Sequence, residues 1–287
     1  MLTANLRFVK LTILMSAMSI FSCSSLQTNS AGLTIAYSVN LPPILNETSG
    51  LVCDESGIYT INDSGNAPVI YQLDQQGNIQ HQITLSSSNT DWEALTKDED
   101  GFYIGEFGNN AGKRTKLSVI KVASTAISNP TLPPSTKQIT FSYRNNQTKQ
   151  NIYQQHDYDA EALVNKGEKL VMFSKSWKSK NTHVYQLDKN QQNQLLEPIV
   201  SIQGLPGLVT GADWDELHQR YVLVGYQVMA WRVSPFIATL DETFTVTHIE
   251  RLLGLGQVEG VCAYQGDVWI TQEKLGFSRA KLVKTSL

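Results

Sequence analysis

The chain has 287 residues, 41% of them hydrophobic and 17% charged, so it can bury a sizeable core and does not read as disordered. Its formal charge is −3 and no run of Lys or Arg exceeds two residues. That excludes the clustered positive charge that nucleic-acid backbones demand, and no nucleic-acid partner is expected.

Arg7 and Lys10 precede Leu11–Ser22, a charge-free, mostly apolar run of signal-peptide length that is too short to span a bilayer. It ends in Ile20-Phe21-Ser22-Cys23, which resembles a bacterial lipobox. The resemblance implies a leader at 1–22, cleavage before Cys23, acylation of its thiol (palmitate included) and membrane anchoring. Ser24 in place of an Asp implies, by the same analogy, the outer membrane, with the protein on its periplasmic side. An ordinary secretory leader with an incidental cysteine is the alternative. Residues 23–32 are small, polar and unpatterned and read as a tether, leaving 33–287 as the folded domain.

Within that domain five segments share one frame: a small or acidic pair, an apolar residue, a polar turn, then a second apolar run. Thr48-Ser-Gly-Leu51 leads to Ile58–Ile61, Trp92-Glu-Ala-Leu95 to Phe102–Gly105, and Ala160-Glu-Ala-Leu163 to Leu170–Phe173. Gly211-Ala-Asp-Trp214 leads to Tyr221–Val224, and Val258-Glu-Gly-Val261 to Val268–Thr271. The composition of each copy predicts a β-hairpin. Further strands are expected at Val69–Leu73, Ile79–Leu85, Leu117–Val122, Gln138–Tyr143, His183–Leu187, Pro198–Ile202 and Lys281–Val283.

Four short strands per unit, at this period, predict an all-β fold, a β-propeller. The anchors at 51, 95, 163, 214 and 261 predict five blades, with six as the alternative. The long third step is assigned to insertions at Ser124–Thr136 and Asn145–Tyr158. The last blade lacks a strand of its own, and Leu33–Val39 is expected to supply it, closing the ring and removing exposed sheet edges.

In such a ring the loops entering each inner strand and leaving each second strand meet near the axis. The entering loops bring Glu47, Asp91, Glu93, Asp159, Glu161, Asp213 and Glu259; the leaving ones bring Asn62, Asp63, Glu106, Asn109, Lys175, Trp177, Tyr226 and Glu273. So many carboxylates repel unless some are protonated, Lys175 and Arg114 neutralise them, or a cation sits among them. Oxygen donors with few nitrogen or sulfur ligands suit Ca²⁺ or Mg²⁺ rather than zinc. Glu93, Glu161, Glu259, Asp213, Asn62, Glu106 and Asn109 are the candidate metal ligands; Asp63, Lys175, Trp177, Tyr226 and Glu273 are candidates to contact a ligand. Alternatively, the repeat acids only accept hydrogen bonds from backbone amides at blade junctions.

Asp91-Trp-Glu-Ala-Leu95, Asp159-Ala-Glu-Ala-Leu163, Ile104-Gly-Glu-Phe-Gly-Asn-Asn110 and Thr210-Gly-Ala-Asp213 resemble secreted bacterial lipoprotein propellers. More distantly, the chain resembles calcium-dependent lactonase, arylesterase and phytase-like propellers. That resemblance implies Ca²⁺ held from several blades, with Glu93 or Glu259, Asn62, Asn109 and Asp213 as a possible set. It also implies a cation that polarises a carbonyl or phosphoryl oxygen beside a carboxylate base.

His156 reads as a solvated loop histidine rather than a ligand. Cys53 and Cys262 fall in the inner strands of the first and last blades, either as a ring-closing disulfide or as two buried thiols. No nucleophile elbow, phosphate loop or paired C-x-x-C is present. Two function classes stay open. One is a monomeric, lipid-anchored protein that binds a small molecule, glycan or protein at an acidic, cation-containing axial face. The other is a calcium-dependent hydrolase of an ester, lactone or phosphoester.

Overall fold

In the hairpins of each repeat a first strand that turns polar toward its end pairs with a β-branched and aromatic strand buried along most of its length, and their register defines the blades. The computed structural model describes residues 32–124, 134–230 and 232–287. The expected leader, Cys23, the expected tether up to residue 31, and residues 125–133 of the expected first insertion lie outside the described residues. Strand β1 (Tyr37–Asn40) precedes the first blade, which is β2 (Thr48–Asp54), β3 (Gly57–Asn62), β4 (Val69–Leu73) and β5 (Ile79–Thr84). The second is β6 (Trp92–Asp98), β7 (Gly101–Glu106), β8 (Leu117–Ala123) and β9 (Thr136–Tyr143).

The third blade comprises β10 (Ala160–Lys166), β11 (Lys169–Ser174) and β12 (Thr182–Asp188), and it ends, after β13 (Gln194–Leu196), with β14 (Val200–Ile202). Strand β13 had no expectation in the sequence. It leaves its own blade and pairs in parallel with β9, widening the second sheet. The fourth blade is β15 (Leu208–Asp215), β16 (Arg220–Met229), β17 (Arg232–Leu240) and β18 (Val246–Arg251). The fifth is β19 (Val258–Tyr264), β20 (Asp267–Gln272) and β21 (Lys281–Thr285), completed by β1.

The structure is therefore a five-bladed propeller closed by an N-terminal strand. Closure comes slightly later in the chain than Leu33–Val39: Tyr37 pairs with Lys284 and Asn40 with Lys281. Leu33 instead bridges Leu252, and it packs with Ile35 into the apolar layer between the fourth and fifth blades. Five apolar clusters fill the structure, one at each blade interface.

The inner strands β2, β6, β10, β15 and β19 neighbour one another in a closed circuit. Each breaks register near its start, in the manner of a β-bulge. Small residues follow: Gly50, Ala94, Ala162, Gly211 and Gly260. A Cβ on Gly50 would lie 2.4 Å from Leu95 N, and one on Gly211 2.3 Å from Glu259 O. Backbones approach this closely only where a side chain is missing.

One repeat anchor needs correction. In the first, second, third and fifth blades the first hairpin turns over two residues, whereas in the fourth Asp215 pairs with Arg220 across Glu216–Gln219. The longer turn makes Ala212, not Trp214, the counterpart of Leu51 and Leu95. Parity of the strand is kept, so the core face is unaffected. The site assignment is not.

Candidate metal centre at the axial face

The register places Ser49, Glu93, Glu161, Thr210 and Glu259 at equivalent positions near the start of the five inner strands. Asp63, Lys175 and Glu273 directly follow β3, β11 and β20. These elements converge on an axial cavity of about 410 Å³. Its lining includes Asp63, Glu93, Glu161, Glu259 and Glu273 beside a single lysine, Lys175, with Trp177 and Tyr226 as aromatic neighbours.

Lys175 is buried and donates to Glu161 Oε1 at 3.0 Å, and Glu161 is buried too. Its ammonium lies 5.3 Å from the Trp177 ring centre and 5.6 Å from that of Tyr226, within cation–π range. Burial alone would lower the lysine pKa, but the carboxylates of Glu161, Glu259 and Glu93 outweigh it and hold it well above the ordinary value. One ammonium does not neutralise the acids around it. Desolvation, then repulsion from Glu161 and Asp63, raises Glu93 well above the usual carboxylate range. Desolvation also pushes Glu259 up to about 8, and desolvation with the Asp63 charge pushes Glu273 up to about 7.

Asp63, Asp91 and Glu93 form the tightest group. Each offers an oxygen, and all three oxygens lie within 4.8 Å of one another. Glu93 is buried while the two aspartates are partly buried, and desolvation followed by the charge of Asp63 raises Asp91 to about 6. Gly108 leaves the space they occupy: a Cβ there would stand 2.2 Å from Glu93 Oε1 and 2.5 Å from Asp91 Oδ2. The group can coordinate a cation at this face of the propeller, and its all-oxygen donors fit a hard ion.

The two Asp-x-Glu repeats diverge in use. Asp159, the counterpart of Asp91, accepts from Asn109 N at 2.7 Å and from Trp177 Nε1 at 2.8 Å, so both its oxygens hold the fold together. Asp91 has a looser neighbour, Arg114, at 3.8 Å. Among the residues expected as metal ligands, Glu106, Asn109, Asn62 and Asp213 lie outside the triad and make contacts of their own. Glu106 pairs with Arg114 at 2.7 Å and accepts from Thr90 N at 3.0 Å. Asn109 donates to Tyr158 O at 2.8 Å and accepts from Arg114 N at 2.9 Å. Asn62 donates to Ile44 O at 2.7 Å and does not line the axial cavity.

Asp213 accepts from Ala263 N at 2.8 Å and lines the opening at the hairpin-turn end of the axis, with Thr96 and Lys97. The two-residue offset in the fourth blade explains this: the position on the acidic face belongs to Thr210, whose hydroxyl donates to Val258 O at 2.6 Å. His156 is likewise not solvated. It is 3% exposed, and its Nε2 lies 2.9 Å from Asn110 O. Asp91, placed at this face by the repeat but outside the expected ligand set, belongs to the triad; its repeat with Asp159 is the signal for it. Tyr153 and Gln154, also at the cavity, come from the second insertion, whose path no repeat prescribes.

No protein-family model matches the chain, and no curated protein does. Among solved structures it is similar to a Bacteroides ovatus ATCC 8483 protein described provisionally as a glycoside hydrolase. The TM-score is 0.51 and the identity 9%, over 84% of this chain and 86% of that one. A Parabacteroides distasonis ATCC 8503 protein of the same description gives 0.47 and 12%, over 84% and 87% of the two chains. Kuenenia stuttgartiensis hydrazine synthase gives 0.41 and 10%, over 79% of this chain, which spans 56% of that one. At such identities the likeness concerns the fold alone.

Proposed function

We propose that the axial face holds a divalent cation, Ca²⁺ on the chemistry of its donors, and that the protein binds a ligand through it. The observation that carries this is the convergence of Asp63, Asp91 and Glu93 within 4.8 Å, while the only lysine lining the cavity among the described residues is committed to Glu161. Asp63, Asp91 and Glu93 would hold the ion; Glu259, Glu273, Trp177 and Tyr226 would face the small molecule, glycan or protein that occupies the remaining cavity. Supporting an exported, outer-membrane, periplasm-facing protein are the apolar leader and the lipobox-like Ile20–Cys23, with Cys23 as the acylated residue and residues up to 32 as a tether. Among the described residues no helix is long and apolar enough to cross a membrane.

Hydrolysis of an ester, lactone or phosphoester is the second reading. Glu273 favours it, because a carboxylate raised to about 7 at the cavity is suited to accept a proton near neutral pH. A bound cation would supply polarisation of the substrate oxygen. Thermal unfolding after chelation, with and without added Ca²⁺, tests the primary proposal. An ion at a hundredfold its Kd stabilises the fold by about 2.7 kcal/mol. No shift with any divalent cation would overturn it. A screen of chromogenic esters and phosphodiesters, on wild type and Glu93→Ala, then separates binding from catalysis.

A further inference from the structure

The connection from β9 to β10 is the longest between strands on the axial side, running from residue 144 to 159. Loops of this length without secondary structure of their own are commonly functional. Its backbone is fastened on one side. Lys113 Nζ donates to Thr148 O at 2.7 Å and Asn151 O at 2.6 Å, Gln154 N donates to Asn110 O at 2.9 Å, and Asn151 Nδ2 donates to Gly112 O at 2.8 Å. On its other side the loop walls a second cavity of about 550 Å³, separate from the axial one, between it and the third blade.

The lining of that cavity has a consistent chemistry. Tyr143 lies there with its ring centre 5.6 Å from that of Tyr158 and 5.0 Å from that of Tyr185, beside Leu196 and Pro198; Tyr143 and Tyr185 are buried in the core, and Tyr158 is the partly exposed ring. Asn145, Gln147, Gln150 and Gln155 form its rim, and their side-chain amides have no hydrogen-bond partner among the described residues. Each amide offers both a donor and an acceptor, the pair that a hydroxyl group needs. Arg144 is paired with Glu197 at 2.6 Å, and Asp157 accepts from Lys178 N at 2.9 Å. Asp157, His156 and His183 are the metal-donor types in the lining, and among the described residues they form no group close enough to hold an ion.

We infer that this side cavity binds a neutral carbohydrate, whose apolar ring face lies on Tyr158 while its hydroxyls bond the free amides of the loop. Its volume falls within the range of small-ligand sites, and its anchoring to Lys113, Asn110 and Gly112 keeps the wall in place before a ligand arrives. The inference does not depend on a cation at the axis.

Calorimetric titration of the full chain, in a detergent without a sugar headgroup, tests it with glucose, maltose, cellobiose and diacetylchitobiose. Glucose against the disaccharides distinguishes a site for single sugars from one for glycan chains. Saturable binding at about millimolar Kd or tighter is expected for at least one probe. Gln147→Ala and Gln155→Ala, at exposed loop positions that leave the circular dichroism unchanged, should each weaken that binding about three- to tenfold, the worth of one hydrogen bond. Absence of binding by every probe at about 10 mM would overturn the inference, as would folded Gln147→Ala and Gln155→Ala variants that bind as tightly as wild type.

Discussion

Glu93 is buried against Asp63 and Asp91, and three carboxylates in that position are stable only when protonated or bridged by a cation. Replacing it with Gln keeps the volume and removes the charge. The Glu93→Gln protein should melt no lower than wild type in chelator, yet lose most of the Ca²⁺-dependent rise; differential scanning calorimetry reads both. Titration gives a second check. Burial penalises the charged forms of Glu259 and Glu273 and pushes them above the ordinary glutamate range, to about 8 and about 7. A raised carboxyl keeps its proton longer in the folded state, so stability is complete below the unfolded pKa and falls as pH rises toward the folded one. Chelated protein should therefore be more stable at pH 5 than at pH 8, and Ca²⁺ should stabilise it most at the higher pH. A melting temperature flat across that window would contradict the buried-acid description.

The inner strands owe their spacing to absent side chains. Gly211→Ala would drive a Cβ against the Glu259 carbonyl, which is backbone and cannot swing aside. Overpacking of this kind costs about 1–3 kcal/mol, read as a lower urea midpoint with unchanged slope. Gly108→Ala acts on the other axis of the site: its Cβ would displace the Glu93 and Asp91 carboxylates. It should abolish the Ca²⁺ shift even where the fold survives. The long β16–β17 hairpin, whose Val228 and Val233 line the axial cavity, shows the same dependence of site on element length. Two extra turn residues at its other end, before Arg220, are what moved Asp213 away from the acidic face.

A ring of five blades opens most readily where its first and last segments meet. Cys53 and Cys262 are bonded there, 209 residues apart, inside the apolar layer shared by the first and fifth blades. In the chain-entropy model a loop of that length contributes about 5 kcal/mol. Reduction, or the Cys53→Ser/Cys262→Ser pair, should lower stability by that order in denaturant titrations. Hydrogen exchange should rise first in β1, β2 and β19. Loss of protection spread evenly over all five blades would place the weak seam elsewhere.

Much of the fold was legible because it is repetitive. Runs of β-branched and aromatic residues set the strands, spacing set five copies, and the missing fourth strand of the last blade required the N-terminus to return. Leu95 and Phe102, or Leu163 and Leu170, signal their hairpins through local chemistry alone. The acidic character of the face was likewise written in Asp91-Trp-Glu93 and Asp159-Ala-Glu161. Which acids remain available was not. Asp159 is consumed by Asn109 and Trp177, Glu106 by Arg114, and Asp213 by Ala263, all through contacts between segments distant in sequence. Strand formation follows from short-range patterning, whereas the availability of a carboxylate depends on every donor that folding brings to it, and only the closed ring decides that.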